Sequence, residues 1–147
     1  METKETKFVI AVVLKNPANS QKVLVVKRPP EDDSLPNVWG FPAVVVQNNE
    51  LPEAAVERLG IEKLNTEIIA SSNVGIMRAD RGEYELILMD IEASLLGTEP
   101  NVWDASTANT KYVDQQWVTD YSILNEAASK GSLCSRIFLS SKGMSWE

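Results

Sequence analysis

WGFPAVVVQNNELPEAAVERLGIEKLNT, residues 39–66, is the stretch on which the reading of the fold turns. Residues 41–46 are apolar and rich in valine, which predicts a strand. QNN at 47–49 is turn chemistry. Pro52 then opens a helix predicted over 52–64: proline suits the first helical turn, and Glu53 suits the positive N-terminal end. Residues three and four apart share a helix face, so Leu59, Glu62 and Lys63 are expected together on one side. Arg58 and Glu62 stand four apart and can pair. Gly60 inside the helix costs about 1 kcal/mol relative to alanine, and its missing side chain leaves space for another backbone or side chain to pack close.

Upstream, FVIAVVL at 8–14 is a continuous apolar run, typical of a strand buried on both faces. KNPANSQ at 15–21 turns the chain. A second strand at 23–26 ends at Lys27-Arg28, where Pro29-Pro30 stop it. The acidic loop PPEDDSLPNV fills 29–38. Downstream, 67–70 and 74–77 read as strand pieces, ADRG at 79–82 as a turn, and EYELILMDIE at 83–92 as an alternating strand. A long polar loop at 96–110 contains Trp103, expected to cover core. A short strand follows at 113–118, then helices at 121–129 and 132–142. There is no internal repeat or linker, so the expectation is one domain over 1–147, mixed β and α with one dominant helix after a hairpin, an α+β chain.

Composition narrows the function. Of 147 residues, 44% are hydrophobic, enough for a core. The net charge is −7, and an acidic surface repels a phosphate backbone, so no nucleic-acid partner is expected. A local basic pocket for a small phosphate ligand remains compatible with that charge. The chain has no histidine, which excludes Ser-His-Asp triads and His-rich zinc sites. Its one cysteine, Cys134, cannot form an internal disulfide and is expected as a small buried hydrophobe. No apolar run approaches the roughly 20 residues that span a bilayer. The charged start METKETKFVI does not read as a signal peptide, so the expectation is a cytoplasmic protein with no membrane partner.

The strand VLVVKR, the acidic loop, VWGFP and the helix after it resemble the Nudix (MutT-like) hydrolase family. The family's signature reads glycine, five residues, Glu, seven residues, then Arg-Glu-apolar-any-Glu-Glu-any-Gly-apolar. Anchored on Trp39-Gly40-Phe41-Pro42 and Glu50, the register needs no gap. Glu50, Arg58 and Glu62 match. Val44 and Asn65 stand where glycines are expected, Leu59 and Lys63 where metal-binding glutamates are expected, and Gly60 and Thr66 where apolar residues are expected.

The resemblance implies a Nudix-type α/β/α sandwich with a mixed β-sheet between helices. It implies hydrolysis of a nucleoside diphosphate linked to another moiety, with water attacking phosphorus and a divalent cation neutralising the charge. Magnesium takes near-octahedral oxygen ligands, shared between carboxylates and phosphates. Only Glu62 of the three expected ligands survives, and a lysine at 63 would repel a cation. By resemblance, Glu62 and Arg58 are the candidate catalytic residues and Glu62 the candidate metal ligand, for Mg2+ or Mn2+ held weakly. Arg28 and Lys63 are the candidate substrate-binding residues, and Glu50, Trp39, Gly40, Phe41 and Pro42 are structural parts of the motif. Trp39 is expected in the core under the box, and Trp117 resembles the late strand of the family.

Three readings of the helix stand open. It can hold a metal with help from outside the box, for which Glu83, Glu85, Asp90, Asp104 and Asp114 are conceivable donors. It can use Lys63 in place of a metal to bind a phosphorylated ligand or nucleotide without turnover. It can be scaffold alone, as in a protein-interaction module. Many relatives in the family are dimers, so a homodimer is also compatible with the resemblance. Substrate identity is not legible in the loops at 29–38 and 94–112.

Overall fold

The computed structural model describes residues 4–107 and 110–146. Strand β1 (Glu5–Asn16) lies at the centre of a mixed sheet. Ile10, Ala11, Val12, Val13 and Leu14 are all fully buried. The apolar run 8–14 has this form because a strand covered on both faces has no solvent side to make polar.

β1 runs antiparallel to β2 (Asn19–Lys27) and parallel to β6 (Tyr84–Leu95). On the β2 side follow β3 (Trp39–Gly40) and β7 (Asp114–Val118), both antiparallel to β2. On the β6 side β5 (Ile68–Asp80) is antiparallel and forms the edge. β4 (Ala43–Val45) pairs with the first half of β1. The strand predicted at 41–46 is thus shortened to Ala43–Val45, which pairs with β1, and the separate strand Trp39–Gly40 before it pairs with β2; the chain crosses between them at Phe41-Pro42. A proline lacks the N–H that a continuous ladder would need there.

Successive β1 side chains point to opposite faces. Ile10, Val12 and Leu14 pack with Ala55, Val56 and Leu59 of α1 (Pro52–Lys63). Ala11 and Val13 pack with α2 (Asn125–Ser129) and α3 (Leu133–Ser141), through Ala128, Leu133, Ile137, Phe138 and Leu139. The result is an α/β/α sandwich, as the sequence led us to expect.

Several local expectations are corrected. The pieces at 67–70 and 74–77 form one continuous strand, β5. Its register shifts between Ala70 and Ser72 and again between Asn73 and Gly75, and such bulges break the alternation that marks a strand in sequence. The helix predicted at 121–129 is a 3₁₀ turn over Tyr121–Leu124 followed by the short α2. Asp120 caps the turn by accepting from the Ser122 N–H. Trp39 packs against the α2/α3 layer instead of under α1. Trp103 does not cover core: it is 51% exposed and donates from Nε1 to the Val113 carbonyl at 3.0 Å. Cys134 is buried, as expected. Among the described residues, no helix is long and apolar enough to cross a membrane.

Candidate functional site

Helix α1 opens on Pro52 without a side-chain cap and closes on a backbone reversal. At its C-terminal end Leu64 and Thr66 both donate to the Gly60 carbonyl, each at 3.1 Å. Asn65 takes a left-handed conformation with φ 53, a geometry that asparagine tolerates better than most residues. A side chain at Gly60 would not fit this reversal. A Cβ there would lie 2.7 Å from Ile68 Cγ1 and 2.8 Å from the Thr66 carbonyl oxygen. The mid-helix glycine therefore lets β5 start directly over the helix.

Arg58 is the brace between helix and preceding loop. Its Nε and Nη2 donate to the two oxygens of Glu50 at 2.8 and 3.0 Å, a forked pair, and Nη2 also reaches the Val45 carbonyl at 2.8 Å. Glu50 Oε1 accepts from the Gln47 N–H at 3.0 Å, which closes the 47–50 turn. The Arg58 hydrogen bond holds the Glu50 carboxyl below its usual range, and Glu50 in turn raises Arg58. Arg58 Nη1 also donates to Glu62 at 3.3 Å. Glu62, one turn further on, is therefore engaged by an arginine and is 39% exposed at its side chain.

Lys63 behaves differently. Its side chain turns inward, leaving the residue 6% exposed, and Nζ donates to the Ala43 carbonyl at 2.7 Å. The Tyr112 ring centroid lies 5.3 Å away. The Tyr112 hydroxyl accepts from the N–H of the same Ala43 at 2.9 Å. Burial, with the nearby Arg28 charge adding to it, pulls the Lys63 ammonium down to about 8. Burial pushes the Tyr112 hydroxyl up to about 12.

Arg28 follows β2. Its backbone N–H donates to Val38 at 3.0 Å, and its guanidinium meets Asp32 at 3.3 Å. Asp32 also accepts from the Leu35 and Ser34 amides at 2.8 and 3.2 Å, which ties down the acidic loop. Burial raises the Asp32 carboxyl, but the Leu35 amide and Arg28 outweigh it and the net shift is downward.

These elements enclose a cleft of two lobes. The larger, about 630 Å³, is lined by Arg28, Arg58, Lys63, Tyr112, Thr110 and the 43–48 segment. The smaller, about 410 Å³, is lined by Lys7, Arg28, Arg81, Lys130, Tyr84 and the Gly131–Cys134 turn, among others. Val9, Arg28, Ala43 and Val45 belong to both, so Arg28 stands at the junction. Among the described residues, six cationic side chains line the two lobes, and no aspartate or glutamate does.

The residues present do not fit a divalent metal. Among the described residues, no group of three or more Cys, Asp or Glu side chains is placed to hold one. Glu62 is partnered by Arg58. Leu59 is fully buried in the core cluster that also contains Val102 and Tyr112, not presented beside Glu62. The outside donors are dispersed. Glu85 pairs with Arg78, Asp104 with Asn101, and Asp114 accepts from the Gln115 N–H. Glu83 precedes β6 at an exposed turn. Asp90 aligns with Ala11 on the face toward α3, opposite α1. It is fully buried with neither oxygen partnered, and burial lifts its carboxyl well above the usual range.

The structure thus brings Arg28, Arg58 and Lys63 to one cavity and places Glu50 behind Arg58. Of the motif residues, Gly40 pairs opposite Val26 of β2, while Phe41 is buried and edge-on to Phe138 at 5.1 Å. The Pro42 carbonyl accepts from Val12 N–H at 2.9 Å. Tyr112, Ala43, Lys7, Arg81 and Lys130 were not legible as cleft residues. Tyr112 sits at the end of a polar loop, and no local pattern relates residue 7, 81 or 130 to the helix at 52–63.

No family profile matches the chain, and no curated protein matches it in sequence. Solved structures do match it. The chain is similar to the MutT protein of Methanosarcina mazei Go1 at 14% identity, covering 97% of each chain with a TM-score of 0.70. It is similar to a Nudix hydrolase of Nitrosomonas europaea at 14% identity, covering 95% of this chain and 89% of that one with a TM-score of 0.67. An ADP-ribose pyrophosphatase of Streptococcus suis matches at 16% identity over 76% of this chain and 72% of that one, with a TM-score of 0.55. The fold is the Nudix-hydrolase fold.

Proposed function

We propose that this Nudix-fold protein binds a small phosphorylated ligand of the nucleotide class in its two-lobed cleft, and does so without metal-assisted turnover. One observation carries the reading. A chain of net charge −7 lines this cleft with six cationic side chains and, among the described residues, no carboxylate. Such a distribution suits an anion and opposes a bare metal ion. Arg28 offers a planar fork for phosphate oxygens at the junction of the lobes, and Lys63 offers a point charge deeper in the larger one. Arg58 positions the 45–50 wall of that lobe. The second lobe has room for the group attached to the phosphates.

The test is a thermal-shift and calorimetric panel of ADP-ribose, dinucleoside polyphosphates, NADH and nucleoside triphosphates. Saturable binding of at least one member, with no release of a nucleoside monophosphate, is expected. Silence across the panel would remove the proposal.

Hydrolysis of a nucleoside diphosphate linked to another moiety is the second reading, favoured by the fold shared with an ADP-ribose pyrophosphatase. It requires Glu62 to leave Arg58 and recruit further carboxylates. Under it, magnesium- or manganese-dependent turnover would appear, and Glu62→Gln would abolish it.

A further inference from the structure

We infer that the Lys63 ammonium is the site's built-in cation, contacting the phosphoryl oxygens of the ligand directly where the family signature would place a metal-binding glutamate. The inference rests on the reading that the cleft takes a phosphorylated ligand, and it adds how that ligand is held.

An ammonium has three N–H donors. Among the described residues the only hydrogen bond of the Lys63 ammonium is to the Ala43 carbonyl, and none of the ion pairs includes it. Two donors are therefore left for an occupant of the lobe that Lys63 lines. The neighbouring carboxylate that would ordinarily answer this charge, Glu62, is turned to Arg58. Arg28 and Arg58 line the same lobe, but each already has a carboxylate partner, Asp32 for Arg28 and Glu50 with Glu62 for Arg58, so among the described residues Lys63 is the cation of this lobe with no ion pair. An anion beside Lys63 supplies the missing counter-charge, whereas a divalent cation adds repulsion.

A purely structural lysine fits poorly. A lysine at a helix end can lay its methylenes on apolar surface and keep its charge in water. Lys63 instead buries the charge, which costs desolvation that one carbonyl contact only partly offsets. Tying down Ala43 does not require this, because the Tyr112 hydroxyl already accepts from its N–H and the segment is paired with β1.

The experiment is calorimetric titration of the full chain with ADP-ribose and with inorganic pyrophosphate, in EDTA and again in excess magnesium. Lys63→Met and Lys63→Arg are titrated alongside, with circular dichroism confirming their fold. Equal or tighter binding in EDTA is expected. Lys63→Met is expected to weaken it about tenfold or more, as loss of a charge-assisted hydrogen bond does, with partial recovery in Lys63→Arg. Binding that appears only with magnesium would overturn the inference and leave the cleft proposal standing. Wild-type affinity in Lys63→Met would do the same. If Lys63→Met does not fold, the chelator comparison and Lys63→Arg still decide. Failure of both probes to bind under either condition would overturn this inference together with the cleft reading beneath it.

Discussion

The ammonium of Lys63 rests on the carbonyl of Ala43, 2.7 Å away, so the end of the long helix is bonded to the short strand that forms the floor of the cleft. This contact draws a charged side chain into the interior at a position facing two arginines. Its energetic consequences can be measured.

The first concerns pH. The folded-state value of Lys63 is about 8, below the ordinary 10.5. Between those values the unfolded chain holds a proton that the folded chain has released, so stability rises with pH across the window. Burial of the charge costs on the order of 3 kcal/mol at neutral pH, from about 1.4 kcal/mol per unit. Tyr112 acts oppositely, because its raised value makes stability fall above about 10. Urea denaturation at about pH 7 and about pH 9.5 should show wild type gaining stability, a gain absent from Lys63→Met. A flat wild-type profile would mean that the ammonium is not buried in solution.

A second prediction concerns Asp90, buried with neither oxygen partnered. Burial raises its folded-state value, so its contribution is present at low pH and is lost as pH rises from the ordinary carboxylate range through the raised value. Asp90→Asn removes the ionisation and should flatten that fall, leaving the variant at least as stable as wild type at neutral pH. Melting temperatures across the acidic to neutral range check this, and a variant less stable at every pH would refute it.

The Arg58 brace and the Arg58–Glu62 pair should separate cleanly. Arg58 and Glu50 are 18% and 12% exposed at their side chains and form a forked pair. Glu50→Gln should destabilise by roughly 1.5–3 kcal/mol, the range for hydrogen bonds to charged groups. Arg58→Lys should not restore what Arg58→Ala loses, since lysine lacks the fork. Glu62→Gln should stay within about 0.5 kcal/mol, because its bond to Arg58 is long at 3.3 Å and the Glu62 side chain is partly open to solvent. Equal effects at 50 and 62 in chemical denaturation would contradict this division.

Gly60→Ala should destabilise although alanine is the better helix former by about 1 kcal/mol. The added carbon meets Ile68 Cγ1 at 2.7 Å and the Thr66 carbonyl at 2.8 Å, and the backbone oxygen has no room to yield. A more stable variant would show that the helix–β5 reversal is looser than described.

Much of the fold was legible because its strongest signals are local. The run at 8–14 showed a strand covered on both faces, and Pro52 fixed the start of the helix. The box register fits two structural facts, the forked Glu50–Arg58 pair and the left-handed Asn65 at a glycine position. β5 was split in the reading because two bulges disturb its alternation. The inward turn of Lys63 was not legible, since helix spacing gives a face but not which of its side chains folds back under the sheet. Leu59 likewise shared the predicted face with Glu62, yet it lies in the core with Tyr112, a partner 53 positions away in number and reached only through the fold. The basic character of the cleft was hidden for the same reason, because Lys7, Arg81 and Lys130 come from three distant turns and strand ends.

The most direct measurement is a crystal structure of the chain soaked with ADP-ribose and manganese, with anomalous data collected to locate the metal. Phosphate density is expected within hydrogen-bond reach of Arg28 and Lys63, with Glu62 still on Arg58 and no anomalous peak beside it. A manganese peak against Glu62, bridging to the phosphates, would contradict a cleft that holds its ligand without metal.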